Sequence, residues 1–164
     1  MHTFLGYDAR RQQRALLNVY LGDQDHPAAR RAAFYHKLQT MLPGFNHPGL
    51  LPILETGQDE GLSYTVHPFS DGEEIARYVD RVGPVPARLA FDIALQLIDI
   101  LVRAKRYPEI RSSIDVTQGC LLEEDQAGRI RVRLSKFVCP GNDQLVSRDS
   151  FECNSLTLVL RLLA

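Results

Sequence analysis

The sequence predicts an α+β fold, in which an antiparallel sheet with one helix precedes a mainly helical second half. Two observations carry this prediction. Short apolar runs separated by polar turns fill the first 67 residues, whereas residues 87–106 carry apolar side chains at helical spacing. The chain has 164 residues, 45% of them apolar and 24% charged, which suits one soluble domain with its own core. Its net charge of -1 gives no electrostatic reason to expect nucleic acid or an anionic membrane as a partner.

The first half is predicted to run strand, strand, helix, strand, strand. Strands are expected at 5–8, 15–21, 51–58 and 62–67, and a helix at 28–42 that Pro43 and Gly44 end. We expect Leu16, Val19, Ile53 and Val66 to share the core of one sheet. His67, which ends the last strand, is interpreted as a surface or hinge residue.

The second half is predicted to be helical around one short strand pair. Helices are expected at 72–81, 87–106 and 151–164, and strands at 120–122 and 129–134. The helix from Ala87 carries apolar residues over a wide arc, so we expect it to be largely buried.

Nothing in the sequence indicates secretion or membrane insertion. The N-terminus has no signal-peptide pattern, and the apolar run 155–164 is shorter than the ~20 residues that span a bilayer. Cys120, Cys139 and Cys153 have no metal-ligand spacing and are interpreted as reduced structural thiols. These observations predict a cytoplasmic protein without a metal or another cofactor.

Two stretches carry a resemblance to a known family. The run 46–57, which opens Asn46-His47-Pro48, resembles the segment between helix αC and strand β4 of bacterial Ser/Thr protein kinases of the eukaryotic type. The run 64–73 resembles that family's next strand, hinge and following helix start. The resemblance implies a protein-kinase-like two-lobed fold in one domain, 1–164. It implies an N-lobe of about 1–69, whose antiparallel sheet lacks the family's first strand. It also implies a reduced, mainly helical C-lobe of about 70–164, truncated after helix αF.

The resemblance also places the family's catalytic positions, and each holds an unsuitable residue. Phosphoryl transfer needs cradled phosphates, a bound metal ion and a base at the acceptor hydroxyl. By alignment, Asn18 replaces the phosphate-binding lysine, Leu38 the glutamate of αC, Ser113 the catalytic aspartate, Gly119 the metal-binding asparagine and Lys136 the metal-binding aspartate. Only Gly6 stands where the family has a glycine-rich loop. The resemblance therefore implies a catalytically inactive pseudokinase that does not bind nucleotide and acts through a protein partner or self-association.

Two other hypotheses stay open at this stage. The chain could be an unorthodox nucleotide-binding phosphotransferase that uses Asp115, Asp149 or Glu123 in displaced roles. It could also be an unrelated α+β structural domain in which the motif occurs by chance.

Three surfaces are candidates for contacts with other molecules. Leu156, Leu160 and Leu163 lie at helical spacing near the C-terminus and are predicted to form an exposed interface. Arg129, Arg131 and Arg133 alternate along a predicted strand, where they form either a solvated face or a site for an anionic partner. The acidic run 123–125 is interpreted as a solvated turn, with cation binding as the alternative.

Overall fold

A computed structural model describes residues 2–20, 28–114, 116 and 119–139, and these residues divide into two compact units. Unit 1 contains the described parts of Met1–Asn46 and Leu51–Ser70, and unit 2 those of His47–Leu50 and Asp71–Ala164. The division into one domain with lobes at about 1–69 and 70–164 stays a prediction.

Unit 1 contains a four-stranded antiparallel sheet and one helix. Its strands are β1 (His2–Asp8), β2 (Gln13–Tyr20), β3 (Glu55–Asp59) and β4 (Leu62–Pro68), in the order β1-β2-β4-β3. The helix α1 (Ala28–Phe45) packs against β3 and β4. The predicted strand–strand–helix–strand–strand order is thus confirmed, although the third strand begins at Glu55 and not at Leu51.

The helix that was predicted to end at Leu42 continues for three more residues. Helix α1 continues through Pro43 to Phe45, whose side chain is fully buried, and the Asn46 amide still donates to the Leu42 carbonyl at 3.1 Å. A proline near a helix end removes one backbone hydrogen bond. The extension past Pro43 coincides with complete burial of the Phe45 ring.

The core prediction for the sheet is partly wrong. Leu16 lies opposite His67, whereas Val19 lies opposite Tyr64 and Leu17 opposite Val66. Because side chains alternate along a strand and paired residues share a face, Leu16 points away from Val19 and Val66. The face of Leu16 also carries Tyr20, whose ring stacks on Tyr35 of α1.

Unit 2 contains a three-stranded antiparallel sheet and three helices. The sheet order is β5 (Glu73–Glu74), β6 (Cys120–Glu124), β7 (Ile130–Leu134), and the helices are α2 (Ile75–Val82), α3 (Ala87–Ala104) and α4 (Pro108–Ser113). The predicted pair at 120–122 and 129–134 is confirmed. The helix predicted from Gly72 begins only at Ile75, because Glu73 and Glu74 pair with β6, and α4 was not predicted.

Helix α3 is amphipathic rather than largely buried, so that prediction is wrong. One face buries Ile93, Leu97 and Ile100. The opposite face exposes more than half of each of four apolar side chains, Phe91, Leu95, Ile98 and Val102. None of the described helices is long and apolar enough to cross a membrane.

The outer edge of β7 is held by groups from elsewhere in unit 2. The Gln96 side chain of α3 donates to the Ile130 carbonyl and accepts from the Val132 amide, both at 3.0 Å. The next outward amide, that of Leu134, donates to the Gly49 carbonyl at 2.8 Å. The 47–50 segment and α3 together fix the strand that leads to Lys136.

Candidate functional site

The segment after β7 carries Lys136, and its backbone is fixed on both sides. The Ser135 amide donates to the Gly119 carbonyl at 3.0 Å, and the Val138 amide donates to the Ser113 carbonyl at 2.8 Å. Between them, the fully buried Phe137 forms an isolated bridge with Ile114. Three of the five degenerate positions, Ser113, Gly119 and Lys136, are therefore neighbours in unit 2.

The Lys136 ammonium is engaged inside the protein. It donates to a carboxylate oxygen of Glu74 in β5, and the Lys136 side chain is only 12% exposed. The cation at the position that the resemblance aligns with a metal-binding aspartate is thus paired with a carboxylate of unit 2. Separating a poorly solvated ion pair is costly, because each charge is then left uncompensated. The pairing with Glu74 therefore holds the Lys136 side chain in place.

Gly119 lies against the backbone of Lys136. A Cβ added at position 119 would lie 2.7 Å from the Lys136 Cβ, 3.0 Å from its amide nitrogen and 3.2 Å from its Cα. These neighbours are main-chain atoms and a Cβ, which cannot rotate away. Any side chain at position 119, including the asparagine that the family has there, requires the backbone to move.

The Ser113 hydroxyl is directed back into its own helix. Ser113 is fully buried, and its Oγ donates to the Ile110 carbonyl at 2.8 Å. The adjacent Ser112 makes the same kind of bond to the Glu109 carbonyl at 3.1 Å. Within the described part of the chain, both hydroxyls bond to backbone carbonyls, and neither is hydrogen-bonded to a carboxylate or imidazole that could make it a base.

Asn18 and Leu38 belong to unit 1, and both are buried. The Thr3 hydroxyl donates to the Asn18 side-chain oxygen at 2.8 Å, and Asn18 is 1% exposed. Leu38 is a fully buried core residue of α1. Leu38 itself cannot form a side-chain hydrogen bond. The next residue, Gln39, does so: its side-chain amide donates to the Leu54 carbonyl at 3.0 Å.

The three arginines at 129, 131 and 133 form ion pairs with two carboxylates of the acidic run, those of Asp125 and Glu123. Arg129 and Arg131 both bind the Asp125 carboxylate, at 3.0 and 3.2 Å, and Arg133 binds Glu123 at 2.9 Å. Hydrogen bonds from the backbone amides of Arg129 and Ala127, together with the charge of Arg129, lower the pKa of Asp125 to about 2. The carboxylates that pair with the arginines therefore belong to the same β6–β7 hairpin. The sequence analysis had expected either a solvated face or a separate anionic partner.

The sequence did not reveal the polar network around His67. The interpretation of His67 as a surface or hinge residue is wrong. His67 is fully buried, with Nδ1 3.0 Å from the Pro52 carbonyl and Nε2 2.9 Å from the Thr65 hydroxyl. Burial lowers the pKa of His67 to about 4. The neutral ring donates from Nδ1 to Pro52, so Nε2 accepts from Thr65. The available signal was the alternation of Ser63, Thr65 and His67, which marks one face of β4.

Cys120 and Cys139 are buried cysteines that form no disulfide with each other, and burial raises the pKa of Cys120 to about 12, so this thiol is unreactive at neutral pH. Among the described residues, no group of histidine, cysteine and acidic side chains has the arrangement of a metal site.

Several predicted features lie outside the described residues. These are Asp115, Asp149, Cys153, the predicted helix at 151–164 and the predicted interface Leu156, Leu160 and Leu163.

Comparison with solved structures shows the fold. A crystal structure titled Rad53 1-466 in complex with AMP-PNP superposes with a TM-score of 0.64 at 15% sequence identity. The match covers 83% of this chain and 34% of that one, so the chain spans about a third of the length of this kinase. No family model and no curated protein matches the sequence. The chain thus has a protein-kinase-like fold, and at this identity the likeness carries no information about activity.

Proposed function

We propose that this protein is a catalytically inactive kinase-like module that acts by binding a protein partner or a second copy of itself. The observation that carries the proposal is the contact between Gly119 and Lys136. The two positions that should hold metal ligands are occupied by a residue with no side chain and by a cation paired with Glu74. A divalent ion prefers carboxylate and amide oxygens, and neither position offers one.

The remaining degenerate positions support the same function. Asn18 supplies no positive charge for a phosphate, and the buried Ser113 hydroxyl is committed to its own helix. As part of the proposal, the protein is a pseudokinase of the bacterial kind that works in the cytoplasm, where cysteines stay reduced. The net charge of -1 supports a protein partner rather than nucleic acid or a membrane.

The phosphotransferase alternative has no favouring observation among the described residues. Glu123 is the one of its three proposed residues that the structure describes, and its carboxylate is bound by Arg133. We therefore carry forward the non-catalytic function alone.

Thermal unfolding with and without ATP and Mg²⁺ tests the proposal. A ligand present at a hundred times its dissociation constant adds about 2.7 kcal/mol of stability, which is readily detected as a higher Tm. We expect no change in Tm at millimolar ATP·Mg²⁺, and no saturable heat in calorimetric titration. A saturable signal, or transfer of the terminal phosphate to any acceptor, would refute the proposal.

A further inference from the structure

Strand β1 is an edge strand whose outer side has no strand partner among the described residues. It occupies one end of the β1-β2-β4-β3 sheet and pairs with β2 alone. The pairing is continuous from His2, opposite Val19, to Asp8, opposite Gln13, without a bulge. A regular outer edge of seven residues therefore presents its backbone groups.

Between its terminal residues, this edge lacks the features that normally prevent strand pairing. Natural edge strands are protected by proline, by bulges or by charged side chains, especially lysine. Residues 3–7 include no proline and no charged residue. Instead Phe4, Leu5 and Tyr7 are 52%, 61% and 66% exposed. Such an edge is suited to adding another strand through backbone hydrogen bonds.

We propose that β1 pairs antiparallel with β1 of a second copy of this chain, about a two-fold axis at Leu5. In this register, each Leu5 lies opposite Leu5 of the other copy, and each Phe4 opposite its Gly6. Each His2 lies opposite Asp8 of the other copy, so an imidazole meets the end that carries the carboxylate. A two-fold contact of this kind closes on itself and gives a dimer rather than a fibre.

The space beside Gly6 supports this register. A Cβ built on Gly6 would meet no atom within 4 Å, so the surface above this residue is open. A phenylalanine opposite a glycine in a neighbouring strand covers the exposed glycine backbone. In the proposed register the Phe4 rings of the two copies each cover one such opening.

The charges favour the antiparallel arrangement over a parallel one. Asp8 is the only acidic residue of β1, and its carboxylate is bound by Arg11 at 2.6 Å. In a parallel pair in register the two Asp8 side chains would lie opposite each other. In the antiparallel pair they are six residues apart along the ladder, which is roughly 20 Å.

This inference rests on the proposed interaction role and specifies its partner as a second copy. Cysteine crosslinking tests the register in a Cys153→Ser background, where the native Cys120 and Cys139 are buried. Under mild oxidation, Leu5→Cys should form disulfide-linked dimers at least tenfold faster than Tyr7→Cys. The two Tyr7 positions would be four residues out of register, or roughly 14 Å apart, beyond disulfide range. Equal rates, or no crosslink from Leu5→Cys, would overturn the inference.

Sedimentation across a concentration series tests the interface itself. The 164-residue chain should be dimeric, and Leu5→Lys should raise the dimer dissociation constant at least tenfold by placing two ammonium groups on the axis. The matched control is Leu95→Lys, at an equally exposed leucine of α3, which should leave the dimer unchanged. A wild-type chain that is monomeric at high concentration, or a dimer insensitive to Leu5→Lys, would overturn the inference. Neither result would bear on the nucleotide titration that tests the non-catalytic role.

Discussion

At two positions of this chain, the nearest neighbours determine what the residue can be: its size at Gly119 and its protonation state at His67. Gly119 has no side chain because the Lys136 backbone occupies that space. His67 is neutral because burial removes its ring from water and so disfavours the charged form. For each of these two residues, comparing a substitution with a matched control tests whether the local contact is present.

Gly119→Ala should destabilise the protein by about 1–3 kcal/mol, the usual cost of overpacking, because the new methyl group would lie 2.7 Å from the Lys136 Cβ. Gly44→Ala is the matched control, since a Cβ there meets nothing within 4 Å and alanine favours the end of α1. Glycine-to-alanine changes at such helical sites stabilise by up to about 1 kcal/mol. Urea unfolding measures both. Equal effects of the two substitutions would mean that the close contact is absent.

His67 should make stability depend on pH. Its pKa is about 4 in the folded protein and about 6.5 when unfolded, so the unfolded state binds more protons between these values. Stability from this residue is therefore complete above about pH 6.5 and is lost as the pH falls towards 4. Linkage gives a loss of about 2 kcal/mol between pH 7 and pH 5.

The test compares urea unfolding of the wild type and His67→Gln at pH 7 and pH 5. The variant should be less stable at pH 7 but should show a smaller loss on acidification. His36→Gln, at an exposed histidine of α1, serves as the control and should keep the wild-type pH dependence. A His67→Gln variant with the full wild-type pH dependence would contradict the assignment.

At the scale of elements, helix α3 has two apolar faces with different environments. Leu97 is 2% exposed, whereas Leu95 is 63% exposed. Leu97→Ala should therefore lower the free energy of unfolding by about 2–5 kcal/mol. Leu95→Ala should change it by less than about 0.5 kcal/mol, as surface substitutions usually do. Chemical denaturation of the two variants gives the comparison. A large loss from Leu95→Ala would show that this face is covered, either by part of the chain or by another copy.

At the scale of the whole molecule, the five positions that the resemblance aligns with kinase motifs are divided between the two units. Asn18 and Leu38 are built into unit 1, while Ser113, Gly119 and Lys136 are built into unit 2. Each is held by packing or hydrogen bonds that suit the residue now present. Such positions cannot be reversed one at a time without disturbing their neighbours.

Restoring the family's residues should therefore not restore nucleotide binding. Lys136→Asp alone should give no calorimetric signal with ATP·Mg²⁺, because it places a carboxylate beside Glu74 and leaves Asn18 and Gly119 unchanged. Adding Asn18→Lys and Gly119→Asn should lower Tm without creating a site, since position 119 has no space for a side chain. The control Lys136→Met removes the cation without adding a negative charge. Saturable binding by the single Lys136→Asp variant would contradict this prediction.

The sequence by itself determined the order of the main elements and the resemblance to a kinase fold. Both depend on local patterns, such as the hairpin turns and the run from Asn46, which are readable without long-range contacts. The alignment of Asn18 and Lys136 with catalytic positions of the family rests on the resemblance alone and stays a prediction.

Only the tertiary structure decided which partners these residues have and which of their side chains are buried. The pairing of Lys136 with Glu74 joins positions 62 residues apart, and no periodicity in the sequence records it. Burial of the polar face of β4, which contains His67, depends on which side of the sheet α1 covers. The exposed stripe of α3 and the extension of α1 to Phe45 likewise depend on neighbours brought by folding. Local spacing specifies which face a residue joins, but what lies against that face is a property of the assembled fold.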